Sequence, residues 1–411
     1  GSAALKKETT SGTAVRPNVF FELLSKSGFS VPAMITPSSP AKNSRSKLQR
    51  ANKGKIDAPT GTIKFTAEPK TLGHFANGTY GEDSVSSGTA GSTTYYTHVW
   101  TETTNSAAIP TYTIDFYQPD LGTRGITERY YGCAFGQFAI DENNGVLEGS
   151  VAITARGAFI VEEVGTAVSV LDTTLVISKT AGLTTADTLI VGWGSANEEE
   201  VTISAINADG ITLTISAAAH THAVGDRVAI KPQTPSYTLG KQFTFFGGTT
   251  TGAASLQGGG SNFTYGATLG TATTVLYISS FNFTFGQELQ AVHGAGGYTH
   301  TDSYPRAVLP KGYEASVKFA RDYYQDPVFQ NHVRRREPIA AIFEAHAGNI
   351  DTAATDVETL KIEMPEIYIE PHPIDKGDDE ILGEQMEAKI YNSATSGFAT
   401  RLTIKNTIDD F

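Results

Sequence analysis

Ile63-Lys64-Phe65-Thr66-Ala67, followed at once by Glu68-Pro69, has a counterpart in Val317-Lys318-Phe319-Ala320-Arg321, followed by Asp326-Pro327. In each stretch apolar and polar residues alternate, the period of a half-buried strand. An acidic residue before proline then opens a helix, because proline fits the first helical position. The first helix carries Leu72, Phe75 and Ala76 on one face, and Gly78 is expected to end it. The second carries Phe329 and Val333 as an i, i+4 pair.

The echo continues outward. Phe138-Ala139-Ile140 is matched by Ile367-Tyr368-Ile369, and Val146-Leu147 before Val151-Ala152-Ile153 by Ile381-Leu382 before Ala388-Lys389-Ile390. Short alternating strands resemble one another by chance, so the argument rests on the shared order of strand, helix, strands, acidic turn and strand. That order predicts a duplicated β-unit with a short flanking helix in each copy.

Composition agrees with the strand reading. The chain has 411 residues, 39% hydrophobic and 18% charged, with 41 Gly, 17 Pro and only three Met beside many Tyr and Phe. β-Branched and aromatic side chains suit a pleated surface, and Gly and Pro suit turns. A mainly β protein of several units with real cores is expected. Cys133 is the only cysteine, which excludes an intrachain disulfide or a thiolate-built zinc site and fits a reducing cytoplasm. No apolar run is long enough to span a membrane as a helix, and no membrane partner is expected.

The chain divides into four stretches. Residues 1–58 read as an extended basic arm with an apolar anchor at Phe20, Phe21, Leu23 and Leu24. Residues 59–164 read as a first β-unit, 165–234 as an inserted small β-domain, and 235–411 as a second β-unit. The insert is marked by Leu175-Val176-Ile177, Leu189-Ile190-Val191, Val201-Thr202-Ile203 and a turn at Asp209-Gly210 before Ile211-Thr212-Leu213-Thr214-Ile215. Net charge is unevenly placed. Residues 1–56 hold ten Lys/Arg against Glu8 and Glu22, a net +8, so the remaining chain carries −20 of the total −12. An acidic body repels nucleic acid, and a basic arm seeks acidic surface.

Chemical motifs give no catalytic, metal or cofactor site. His220-Thr221-His222 sets two imidazoles on one strand face without a third ligand. Asp375-Lys376-Gly377-Asp378-Asp379-Glu380 lacks the alternating ligand spacing of a calcium loop. Arg334-Arg335-Arg336 follows a helix whose C-terminal dipole it complements. The Gly runs at 258–260 and 294–297 lack the strand-before, helix-after setting of a phosphate loop. No nucleophile elbow occurs. Trp193 between Gly192 and Gly194 is the one feature favouring sugar binding, and core or interface packing is its commoner use.

The runs Gly61 to Pro69, Ile109 to Phe116, Tyr131 to Asp141, Val275 to Thr284, Gly312 to Phe319 and Met364 to Ile369 resemble the major tail tube proteins of siphovirus-type bacteriophages. The resemblance covers about residues 59–164 and 235–405 and rests on diffuse patterns in a shared order. Glu200 to Ile203 and His222 to Asp226 are similar to small β-domains appended to virion proteins, expected on the outside of the tube. The resemblance implies duplicated β-sandwich or barrel units, neighbouring subunits that pair strands into one barrel, and stacked rings through which viral DNA reaches the host. It implies assembly in the host cytoplasm into a virion tail, tape measure and terminator or tip proteins as partners, and no cofactor. With two copies per chain, a ring needs three chains with pseudo-sixfold symmetry; if both halves together form one unit, it needs six. The arm residues Phe20, Phe21, Leu23, Leu24, Lys47, Arg50 and Lys53 are expected at contacts between subunits, and the conduit wall is expected to be neutral or acidic. A carbohydrate-binding virion decoration or adhesin is the alternative.

Overall fold

The computed structural model describes residues 2–24, 29–30, 57–102, 109–118, 125–234, 241–245, 260–292, 305, 307–322, 327–351, 356–370 and 383–411. The chain is mainly β. Its first part comprises β1 (Ser2–Lys7), β2 (Val19–Glu22), β3 (Thr60–Thr66), α1 (Leu72–Tyr80), β4 (Ser84–Ala90), β5 (Thr93–Thr101), β6 (Tyr112–Gln118), β7 (Ile126–Asn143), β8 (Val146–Thr154) and β9 (Gly157–Phe159). Six short strands follow: β10 (Val161–Glu163), β11 (Thr174–Val176), β12 (Thr188–Val191), β13 (Glu199–Ile206), β14 (Thr212–Ile215) and β15 (Arg227–Ile230). The last part holds β16 (Gly260–Gly266), β17 (Thr274–Val275), β18 (Ser280–Val292), β19 (Ala307–Asp322), α2 (Pro327–Arg335), β20 (Ile339–Asn349), β21 (Val357–Ile369), β22 (Gly383–Ile390) and β23 (Arg401–Asn406).

Strand pairing shows the duplication directly. One long antiparallel sheet runs β3–β8–β7–β18–β19–β22–β21. On the far side of β3, Leu23 bridges to Phe65 and Phe29 to Gly61, the place that β18 takes against β19. The order is therefore one four-position set used twice: the bridging residues Leu23 and Phe29, β3, β8 and β7, then β18, β19, β22 and β21. Residues match within it, since Val151 and Ile153 oppose β3 and β7 as Ala388 and Ile390 oppose β19 and β21.

Each repeat also has an outer sheet. In the first, β2–β1–β6–β7 pair in that order, and in the second β17–β16–β20–β21 do the same. β7 and β21 thus belong to both layers, and each changes layer at a bulge. Tyr112 opposes Cys133 but Ile114 opposes Tyr130, while Ile339 opposes Ile367 but Ala341 opposes Met364. The extra residue on the long strand turns it from one layer to the other. Gly132, at φ 61, lies in the first bulge, and Pro365, which has no N–H to pair, lies in the second.

The helices repeat too. Phe65 on β3 stacks on Phe75 of α1 with centroids 3.9 Å apart, and Phe319 on β19 meets Phe329 of α2 edge-on at 6.2 Å. Both pairs are ten residues apart and fully buried, between the long sheet and the outer layer. Gly78 does not end α1. The helix runs to Tyr80 and stops at Gly81, whose φ of 105 suits the exit and whose N–H donates to Asn77 O. Gly78 is small for another reason: a Cβ there would lie 2.2 Å from the Phe135 ring.

Residues 2–24, read from sequence as part of an arm, form the β1–β2 hairpin laid on β6. Glu8 anchors it, with its carboxylate buried and accepting from Gly12 N, Thr111 Oγ1, Thr113 Oγ1 and Gly132 N at 2.6–2.8 Å. One apolar core extends through both repeats, from Ala3 to Phe411. A second core, Phe159 to Ile230, fills the inserted strands.

The insert is fixed to the first repeat by a buried ion triad. Arg129 on β7 makes paired bonds to Asp115 of β6 at 2.7 and 2.9 Å, and to Asp187 of the insert at 2.5 and 3.1 Å. All three side chains are 2% exposed or less, so the charges leave water only because each finds a hydrogen-bonded partner.

Candidate assembly interface

The long sheet has one dry and one wet face, as alternation requires. Ile63, Phe65, Val151, Phe283, Val317 and Ala388 point into the core. The opposite face carries Lys64, Lys318 and Lys389 among Asp141, Glu148, Glu314 and Glu387, none of them buried. Neighbouring strands interleave the signs: Lys318 lies opposite Glu387 with Nζ 3.1 Å from its carboxylate. Asn282 donates to Asp141, whose carboxyl burial pushes above its ordinary range, with Lys64 opposing and Glu148 adding to the rise. A shallow groove of about 880 Å³ runs over this face between Gln137, Gln287, Glu314, Lys389 and Tyr391. Its lining mixes these polar groups with Ala315, Ile390 and Ala399.

The sheet is not closed. Its two ends correspond in position to the two sides of the internal β7–β18 joint. At one end, Leu24 N donates to Lys64 O at 3.1 Å and Ser30 N to Thr60 O at 2.8 Å, and among the described residues no strand lies beyond them. At the other end, β20 leaves β21 at Ile367, and Ile369 has no further strand on that side among the described residues. Inside the chain the equivalent place on β7 is filled: once past β6, β7 takes β18, with Phe138 opposite Phe285. Exposed strand edges present unpaired N–H and C=O groups, which favour addition of another strand.

The anchor residues expected between subunits are found as follows. Phe21 is 3% exposed and packs edge-on against Phe65 and Phe75 of its own chain. Phe20 stacks on Tyr117 at 6.1 Å, and Leu23 packs partly buried against the main core. Leu24 is 41% exposed and stands at the sheet edge. Lys47, Arg50 and Lys53 lie outside the described residues, as does the acidic turn at 375–380. The edge at Ile369, which no anchor pattern marks, was signalled in the sequence only by the echo of Phe138-Ala139-Ile140 in Ile367-Tyr368-Ile369, which is two residues out of register, since strand pairing makes Phe138 equivalent to Ile369.

Elsewhere the polar clusters are structural. His222 is buried and its Nε2 lies 2.7 Å from Glu199. Burial would raise the Glu199 pKa, but N–H groups of Ala219 and His220 and the His222 ring together hold it below the usual carboxylate range. His98 joins Asp83 at 2.5 Å to Ile408 O at 2.7 Å, tying the segment after β23 to β5. Trp193 is half-buried with the Arg227 guanidinium 5.9 Å from its ring centre. Cys133 is fully buried, and burial pushes its thiol well up, with Glu8 and Asp115 adding to the rise. No group of three or more His, Cys, Asp or Glu poised for a metal occurs among the described residues. Comparison of the chain with protein-family models and with curated proteins found no match to either.

Proposed function

We propose that this chain is a structural virion protein that polymerises into stacked rings, forming a tail tube through which viral DNA passes. The observation that supports this is the β7–β18 joint. It is a head-to-tail junction between two like units, made by ordinary antiparallel pairing from Phe138–Asp141 to Asn282–Phe285. In this reading the long sheet ends in the two halves of that junction, the bridging residues Leu23 and Phe29 on one side and β21 on the other. A heterologous contact of this kind closes into a ring when its rotation permits, and closure removes every open edge.

In this reading Ile369 of one chain takes the role of Phe138, and the edge marked by Leu23, Leu24, Phe29 and Ser30 of the next takes the role of β18. Three chains of eight strand positions each give the wall pseudo-sixfold symmetry. The mixed-charge face of the long sheet lines the bore. Phosphates bind where Lys and Arg displace counterions, and a face whose lysines sit among carboxylates offers DNA little to hold. Lys47, Arg50 and Lys53 are proposed to meet acidic surface of an adjoining subunit or ring. Electron microscopy of the purified protein tests the reading. Annular particles and stacked tubes are expected, and dispersed single chains at every concentration would contradict it.

A further inference from the structure

The two outer sheets end differently in sequence but alike in space. On the second repeat, β21 is followed by β23, and β23 by the β5–β4 hairpin, with Leu402 opposite Trp100 and Thr403 opposite Val99. That hairpin comes from the first repeat, inserted between α1 and β6. The second repeat has no such hairpin to give, because only residues 336–338 separate α2 from β20.

On the first repeat, β9 begins as β23 does but leaves β7 after Arg129–Phe159, and β15 takes its place, with Ile230 opposite Thr127. Beyond β15 come β12 and β13, with Ile190 opposite both Ala229 and Glu200. The insert's β12–β13 hairpin therefore occupies on the first repeat the position that β5–β4 occupies on the second. Its attachment is rigid: besides the Arg129 triad, Lys179 Nζ donates to Ala158 O of β9 at 2.9 Å, and Arg16 to Ala186 O at 2.5 Å.

We infer that the insert is an edge cover. It supplies within the chain the hairpin that an adjoining copy would otherwise have to provide, so that chains join through the long sheet alone. The partner it excludes is the β4 strand of a second copy. Among the described residues β4 ends the equivalent sheet and pairs with β5 alone, and it reads Ser84-Val85-Ser86-Ser87-Gly88-Thr89-Ala90, without the charges or proline that usually guard an edge. The inference rests on the ring reading only in taking the long sheet as the joint between chains.

Two variants test it, one shortened and one full-length. In one, residues 164–226 are replaced by an Asn-Gly turn joining β10 to β15, which already pair at Glu163 and Arg227. In the other, Ile190→Pro removes a ladder N–H and loosens β12 from β15 with the insert retained. Circular dichroism and thermal melting establish that each is folded. Sedimentation should then show at least a doubling of mean particle mass over the intact chain, and hydrogen exchange should show new protection at Ser84–Ala90. A folded variant with the intact chain's mass distribution overturns the edge-cover role, and association without protection at β4 overturns the choice of partner. Should the shortened chain not fold, Ile190→Pro decides alone. Ring formation by the intact chain is read separately, so a failed ring reading is distinguishable from a failed edge cover.

Discussion

Arg129 is the residue on which the first repeat and the insert jointly depend. Replacing it with Met leaves Asp115 and Asp187 buried without their hydrogen-bonded cation, and removal of one partner from a buried ion cluster costs about 3–5 kcal/mol. Arg129→Met should lower the chemical denaturation midpoint accordingly. Asp187→Ala leaves the Arg129–Asp115 pair intact and should cost less, about 1–3 kcal/mol. Equal losses in the two variants would contradict the triad's asymmetry.

Glu199 carries a pH signature. Its folded pKa is held below the ordinary value of 4.5, so the unfolded chain binds the proton first as acid is added. The stability it contributes is full above that ordinary value and is lost as pH falls through the folded pKa. Thermal melts from neutral to acid should show this loss in the intact chain and a smaller one in Glu199→Gln. A steeper acid loss in the variant would refute the assignment. Neither the triad nor this lock was legible in sequence, because both join residues tens of positions apart whose types are individually ordinary.

At the scale of elements, alternation made most strands legible, and the Ile63-Lys64-Phe65 and Val317-Lys318-Phe319 echo announced the duplication before any pairing was known. What alternation does not encode is which strands meet. β5 pairs with β23 across some three hundred residues, and the β1–β2 hairpin joins the first repeat although its basic, proline-flanked surroundings suggested an arm. Gly78 shows the same limit: a glycine in a helix reads as a stop, whereas here it makes room for Phe135. Gly78→Leu should overpack that contact at a cost of about 1–3 kcal/mol, measured by denaturant titration, and an unchanged midpoint would show that the ring simply moves aside. Glu8→Ala removes four hydrogen bonds at the root of β1. Hydrogen exchange should then report early loss of protection over Ser2–Lys7 while β7 and β8 remain protected. Uniform loss across the core would mean that the hairpin is not a separable unit.

For the whole molecule, the central claim is that one chain contains two wall units and carries at its sheet ends the two halves of the junction already made between β7 and β18. In the proposed ring three chains complete the circle, and the insert, present once per chain, is expected to project from alternate units. Rotational symmetry analysis of ring images from the purified protein tests this most directly. The account predicts threefold symmetry, six superposable wall units and three outward projections per ring. Six equivalent chains around the axis would contradict it.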